Sequence, residues 1–281
     1  MEAAATSVSA ERLWILAFVT YYPPPDFFTR LGEVLKAAYP VIVLENTPVP
    51  GPGYEAMTPC GHLTLLHENS NLGLGPGLNR LMKKANELGY AHVLYFDQDT
   101  IFSLTSLQFI NTWMMLHEAA MKPCSAVQFK TVEAASPAME GLHYVRLLIS
   151  SGSMFVIENL AKLGWHDPAF FVEGVDYKFC LDSVSNGFRL GEVTHCPGID
   201  HESPQPGNRL NIFGREFTYR LYPQHRQKQF IGALAKLGGI ALKRGNMLYA
   251  YVFFRNILTF VLTQGWYSVL SLIKSAGNQS T

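Results

Sequence analysis

The stretch Ala91-His92-Val93-Leu94-Tyr95-Phe96-Asp97-Gln98-Asp99-Thr100 sets an apolar run of strand length directly against two carboxylates one residue apart. A short, unbroken apolar run reads as a strand buried on both faces, the pattern of a parallel sheet covered by helices. Earlier in the chain, Leu13 to Thr20 and Val41 to Leu44 show the same pattern, with Leu63 to Leu66 as a further strand. Between them, Asp26 to Ala38 places Phe27, Leu31, Val34 and Leu35 on one helical face. Leu78 to Leu88 does the same before Gly89, a fitting helix stop. Strand, helix, strand with short connections predicts an α/β domain with a mostly parallel central sheet flanked by helices. Farther on, Ser151 to Ile157 and Phe188 to Thr194 read as strands, and Glu158 to Leu163 and Asp176 to Ser185 as helices.

Composition narrows the function classes. The 281 residues hold 22 Lys and Arg against 22 Asp and Glu, so the chain lacks the basic excess of a dedicated nucleic-acid binder. Its four cysteines, Cys60, Cys124, Cys180 and Cys196, form no C-x-x-C pair and no disulfide framework, which suits a reducing compartment. The opening MEAAATSVSA does not read as a secretory signal, and no stretch reaches the roughly 20 uninterrupted apolar residues of a membrane span. The expectation is a cytoplasmic protein, soluble or peripherally attached at the inner face of the membrane.

In open α/β sheets ligands bind outside the carboxyl ends of the strands, where Asp97 and Asp99 fall. Two such carboxylates repel each other unless a cation neutralises them, and Mg²⁺ or Mn²⁺ takes oxygen ligands of this kind while sharing them with substrate phosphates. A plain polar turn before a helix capped near Ser103 is the alternative. The segment Asn69 to Asn79, NSNLGLGPGLN, offers a second feature. Its glycines would let backbone N–H groups approach a phosphate at a helix start, or would serve a tight connection alone. The segment also has part of a dinucleotide fingerprint, Gly73-x-Gly75 with Asp97 downstream, so an NAD(P)-dependent dehydrogenase is the rival reading. Against that rival, Leu78 stands where the third glycine belongs, and a ribose-binding acid needs no partner like Asp99.

Phe170-Phe171-Val172-Glu173-Gly174-Val175-Asp176 places a carboxylate at a helix start behind aromatic residues. Asp176 there can accept a proton in a partly desolvated site, or simply cap its helix. His195, Cys196 and His201 match no common structural zinc spacing. Tyr219 to Arg226 mixes cations with aromatics, and Arg220 or Arg226 could contact a diphosphate from a closing lid or belong to a solvated loop. Met247 to Ile273 is aromatic and apolar, with Lys243-Arg244 before it and Lys274 after. It could dock at a membrane surface, or pack on the catalytic domain or a second subunit.

In order, AFVTYYP, VIVLEN, NSNLGLGPGLN, YFDQDT, SGSMFVI and FFVEGVDYKFC resemble family 2 glycosyltransferases, in particular their rhamnosyltransferase-like branch, over about Ile15 to His201. The resemblance implies a GT-A-type, Rossmann-like fold with a helical C-terminal extension, divided at 1–210 and 211–281. It implies an inverting transfer of a sugar, L-rhamnose from dTDP-rhamnose or another hexose from a UDP-sugar, onto a glycan or lipid-linked acceptor. Thr20, Tyr21, Asn46 and Asn71 would line the nucleoside pocket, with Gly73 and Asn79 shaping it and Asp97 facing base or ribose. Asp99 would hold the divalent metal, His201 would be a further metal or diphosphate contact, and Asp176 would be the catalytic base. Two positions depart from the pattern: Lys178 stands where an acid is usual, and Glu45 replaces the usual Asp at the end of the second strand. A non-catalytic nucleotide-sugar-binding protein is the other alternative, and it has no need of Asp99 and Asp176 together.

Overall fold

The computed structural model describes the backbone over residues 13–49, 51–54, 61–131, 141–201, 208–212, 215–219 and 221–277. Side chains are described for all of these except 52, 201, 208–212, 215–219 and 270–277. The chain forms two compact units, 1–201 and 202–281.

In the first unit, β1 (Trp14–Thr20), α1 (Pro25–Lys36), β2 (Val41–Glu45), β3 (Leu63–His67), α2 (Leu74–Glu87) and β4 (His92–Asp97) follow one another as the apolar runs require. A two-residue strand β5 (Thr100–Ile101), α3 (Leu104–Met121), β6 (Cys124–Phe129), β7 (His143–Val145), β8 (Ser153–Val156) and α4 (Ile157–Leu163) come next. Then α5 (Val175–Ser185), β9 (Arg189–Val193) and β10 (Asp200–His201) complete the unit. The main sheet has the order β3-β2-β1-β4-β8-β6-β9-β7. Within it β8 and β7 run antiparallel to their neighbours and the other strands are mutually parallel, so the sheet is mostly parallel.

Alternation along β1 divides the core between the two faces of the sheet. Trp14, Leu16 and Phe18 join one buried cluster with Phe27, Leu31 and Val34 of α1 and Leu107, Ile110 and Trp113 of α3. Ile15 and Ala17, also buried, lie on the opposite face, where α2 packs on β1 and β2 through Leu78, Leu81, Met82 and Ala85. Tyr95 of β4 lies outside the α1–α3 cluster, whereas Leu94 and Phe96 are in it. The aromatic side chain at 95 therefore runs along the α2 face toward the carboxyl end of the sheet.

Two elements of this unit had no periodic signature. Helix α3 buries Leu107, Ile110, Trp113, Met114 and Met121 but leaves Met115 and Leu116 more than 70% exposed, which blurs its apolar stripe. Its start is plain in the structure: Ser103 and Ser106 exchange side-chain and backbone hydrogen bonds as a capping box. Strand β6 is buried throughout although it carries Ser125 and Gln128, so it shows neither alternation nor an unbroken apolar run.

The second unit contains the hairpin β11 (Asn208–Ile212) and β12 (Arg215–Tyr219), then α6 (Gln224–Lys243) and the 31-residue α7 (Met247–Gly277). Helices α6 and α7 pack against each other, with Leu234, Leu237 and Ala241 meeting a face that includes Tyr249 and Phe253. Among the described residues no helix is long and apolar enough to cross a membrane.

Candidate functional site

Parallel pairing brings the carboxyl ends of four strands to one edge. Thr20 lies opposite Glu45, Glu45 opposite His67, and Val19 opposite Asp97. The Asp97-Gln98-Asp99 turn is pinned there from several sides. Gln98 accepts from the Tyr21 N–H at 2.8 Å and donates to the Tyr21 carbonyl at 3.1 Å. Arg30 donates to the Gln98 carbonyl at 2.6 Å. Ser151 accepts from the Asp97 N–H at 3.0 Å and shares a 2.7 Å hydrogen bond with the Thr100 hydroxyl. Both the metal reading and the capped-turn reading of this segment thus describe the same backbone.

Tyr95 ties into this turn through Asp97. Its buried hydroxyl donates to Asp97 Oδ1 at 2.7 Å. Burial lifts the phenol well above its usual range, and the charges of Asp97, Asp176 and Asp99 add to the rise. Among these carboxylates it is Asp97 that the hydroxyl touches. Asp99 makes no hydrogen bond or ion pair with any described residue. Strand β10 pairs with β5 so that the His201 backbone lies opposite Thr100, the residue after Asp99; the His201 side chain is outside the described residues. Among the described residues no group of three or more His, Cys, Asp or Glu side chains is arranged to hold a metal ion.

Asp176 sits at the second position of α5, beyond Gly174, and accepts from both the N–H (3.1 Å) and the hydroxyl of Ser150 through Oδ1. Its side chain does not cap the helix; no side-chain cap bond is present at that end. Burial raises the Asp176 pKa to about 6, with the negative charges of Asp97 and Glu173 pushing the same way and the Ser150 bonds opposing. Next to it lies a cavity of about 480 Å³ lined by Gln128, Lys130, Leu148, Asp176, Tyr177 and Asp200, among others. Lys130 is paired with Glu192 at 2.7 Å in its wall.

The glycine segment is engaged internally. Helix α2 starts at Leu74, four residues before the apolar periodicity begins, because Phe171 supplies a cap that the local sequence lacks. The Phe171 carbonyl accepts from the Leu74 N–H at 2.5 Å and from the Gly75 N–H at 3.4 Å. Gly73 has φ +80°, and a Cβ there would stand 2.5 Å from the Phe171 carbonyl oxygen. A Cβ on Gly75 would stand 2.5 Å from the Phe170 carbonyl oxygen. These glycines let the segment ahead of Asp176 lie against α2, and they tie the position of Asp176 to this helix. Two of the amides that a dinucleotide pyrophosphate would need already have a partner.

The remaining residues singled out in the sequence divide between the two units. Thr20 is buried and hydrogen-bonded to the Tyr54 hydroxyl at 2.6 Å; Tyr21 is 46% exposed beside Tyr22. Asn46 donates to Asn71 Oδ1 at 2.9 Å and accepts from the Leu72 N–H at 2.8 Å, so the two asparagines lock the loop after β3 to the end of β2. Asn79 exchanges two 2.8 Å hydrogen bonds with the backbone of His166. Arg226 belongs to the second unit, where it lies over the Tyr222 ring at 5.5 Å, and Arg220 lies outside the described residues. Lys178 turns away from chemistry: buried, it pairs with Asp182 at 2.5 Å and Asp167 at 3.2 Å.

Sequence reading alone missed Tyr95, Ser150 and the free oxygen of Glu45. Glu45 is buried, its Oε1 accepts from the Gly51 N–H at 2.6 Å, and its Oε2 has no partner among the described residues. A buried acceptor left unpaired is costly unless a ligand fills it. The sequence marked Glu45 by its place at a strand end and as a departure from the usual Asp, and neither signal shows that one of its oxygens is buried without a partner. Ser150 and Asp176 are 26 residues apart and meet only through the turn into β8, where Gly152 takes φ +77°.

No protein-family model matches the sequence, and no curated protein matches it. Solved structures do. S. aureus TarS aligns with a TM-score of 0.52 and 13% identity over 82% of this chain and 39% of that one. S. aureus TarS 1-349 in complex with UDP-GlcNAc aligns at 0.51 and 13% over 80% and 65%. GalNAc-T7 with UDP, GalNAc and Mn²⁺ aligns at 0.54 and 10% over 79% and 47%. The chain spans less than two thirds of the length of each, and at such identities the likeness speaks for the fold. The strand order, the crossover helices and these alignments together give the GT-A-type fold.

Proposed function

We propose that this protein transfers a sugar from a nucleoside diphosphate to an acceptor hydroxyl, with Asp176 as the general base. The observation that carries the reading is the Asp176 carboxylate, held by Ser150 through one oxygen and lining a cavity of about 480 Å³. Neighbours of the same fold bound to UDP-GlcNAc, or to UDP, GalNAc and Mn²⁺, support a nucleotide-sugar donor.

The donor side is the edge from Thr20 and Tyr21 to Asn46 and Asp97. Glu45 Oε2 accepts an N–H from the pyrimidine base, and Asp97 is the residue that faces base or ribose. Asn71, Gly73 and Asn79 hold the pocket wall in place through their bonds to Asn46, Phe171 and His166. Arg220 and Arg226 are the cations proposed to contact the diphosphate. Asp99, which makes no hydrogen bond or ion pair with a described residue, would hold a hard divalent cation, Mg²⁺ or Mn²⁺, with His201 as a further contact. When bound, that ion neutralises negative charge on the departing diphosphate. The 480 Å³ cavity against Asp176 is of the size that takes one or two sugar rings and receives the acceptor.

Asp176 removes the proton from the acceptor hydroxyl, the oxygen forms a bond to the anomeric carbon, and the bond from that carbon to the diphosphate breaks with its electron pair. Attack opposite the leaving group inverts the anomeric configuration. A pKa near 6 leaves Asp176 ionised yet appreciably basic near neutral pH. L-Rhamnose from dTDP-rhamnose is the preferred donor, on the resemblance of YFDQDT and its companion motifs to the rhamnosyltransferase-like branch. The acceptor is a glycan or a lipid-linked glycan. A thermal-shift panel of dTDP-, UDP- and GDP-sugars with and without Mn²⁺ tests this: stabilisation by a dTDP- or UDP-sugar that increases with Mn²⁺ is expected. Stabilisation by nicotinamide dinucleotides alone would overturn it in favour of a dehydrogenase.

A further inference from the structure

The neutral total charge conceals a division along the chain. Residues 221–281 contain seven Lys and Arg, Lys243, Arg244 and Arg255 among them, and not one Asp or Glu. This is the segment that forms α6 and α7. Helix α7 uses Tyr249, Val252, Phe253 and Gln264 to pack inward. Its opposite side presents Met247, Tyr251, Phe254, Leu258, Leu262 and Trp266, spaced three or four residues apart and between 46% and 66% exposed. At 3.6 residues per turn these six fall within an arc of about 120°. Lys243 and Arg244 stand at the head of this stripe and Arg255 on its edge, all exposed.

We propose that this face of α7 docks on an anionic lipid surface. An apolar stripe some five turns long, too interrupted to cross a bilayer, with Tyr and Trp among its members and cations at its border, has the make-up of a helix lying in the membrane interface. The absence of any acid over 61 residues removes the repulsion that an anionic headgroup layer would otherwise meet. A second copy of the chain fits the stripe less well. Symmetric pairing of two such faces would set two acid-free, seven-cation hairpins against each other with no balancing charge.

The test is flotation of the full chain with phosphatidylcholine vesicles, with and without phosphatidylglycerol, at low and high salt. The protein is expected to float with phosphatidylglycerol-containing vesicles at low salt, to release as salt rises, and to stay below on phosphatidylcholine alone. Leu258→Glu with Leu262→Glu should reduce flotation to background while leaving the helical circular-dichroism signal unchanged, since both side chains are more than 60% exposed. Lys243→Gln with Arg244→Gln should weaken partition into anionic vesicles by roughly thirtyfold, at about 1 kcal/mol per cation. A wild-type chain that fails to float on anionic vesicles overturns the proposal. So does a wild-type dimer in light scattering that the leucine substitutions dissociate without any lipid binding, which would assign the stripe to a second copy.

Discussion

Ser150 gives both its backbone N–H and its hydroxyl to a single oxygen of Asp176, Oδ1, and leaves Oδ2 without a hydrogen-bond partner among the described residues. The carboxylate is thereby fixed in orientation with one oxygen available to an acceptor. The same two bonds restrain a pKa that burial and the charges of Asp97 and Glu173 have carried up to about 6.

Ser150→Ala removes one of these restraints. With Asp176 as the proposed base, active in its ionised form, activity should rise with pH through about 6 in the wild type. In the variant the acid limb of the kcat profile should move to higher pH, by roughly one pH unit for the loss of a charge-assisted hydrogen bond. An unmoved limb would separate Ser150 from the ionisation that governs turnover.

Asp99→Asn tests the metal. The substitution keeps size and removes charge at a carboxylate that makes no hydrogen bond or ion pair with a described residue. Apparent Mn²⁺ affinity, read from the metal-dependent part of donor stabilisation, should fall by about tenfold or more, with metal-free donor binding unchanged.

Gly73→Ala addresses the contact between α2 and the segment before Asp176. Its φ of +80° and the carbonyl of Phe171 at 2.5 Å from a built Cβ act together, and a backbone atom cannot swing aside. Urea unfolding should show a loss of about 2 kcal/mol or more. Gly89→Ala makes the control: φ is +83° there but nothing lies within 4 Å, so the cost should stay near 1 kcal/mol.

Lys178→Met should destabilise the fold by about 3 kcal/mol, because it leaves Asp167 and Asp182 facing each other around an apolar side chain. Adding Asp182→Asn should restore part of that loss, as a double-mutant cycle would show.

The sheet was legible because β1, β2 and β4 are unbroken apolar runs ending in polar turns, and because α1 and α2 keep clean stripes. Strand-end chemistry made Asp97 and Asp99 visible for the same reason. What stayed hidden depends on contacts between distant segments. Tyr95 reads as one more aromatic in a buried strand until its hydroxyl is seen on Asp97. The glycines after Asn71 suggested an anion cradle, and only the approach of Phe170 and Phe171 explains why small residues stand there. Lys178 read as a departure from the family pattern, and the sequence did not show that its side chain pairs with Asp182 and Asp167.

The most direct test of Asp176 as the base is to measure donor binding and nucleoside diphosphate release side by side in the wild type and in Asp176→Asn, using the sugar nucleotide selected by the thermal-shift panel. Binding should be retained while release falls by roughly 10²–10⁴-fold. Wild-type release in the asparagine variant would contradict it.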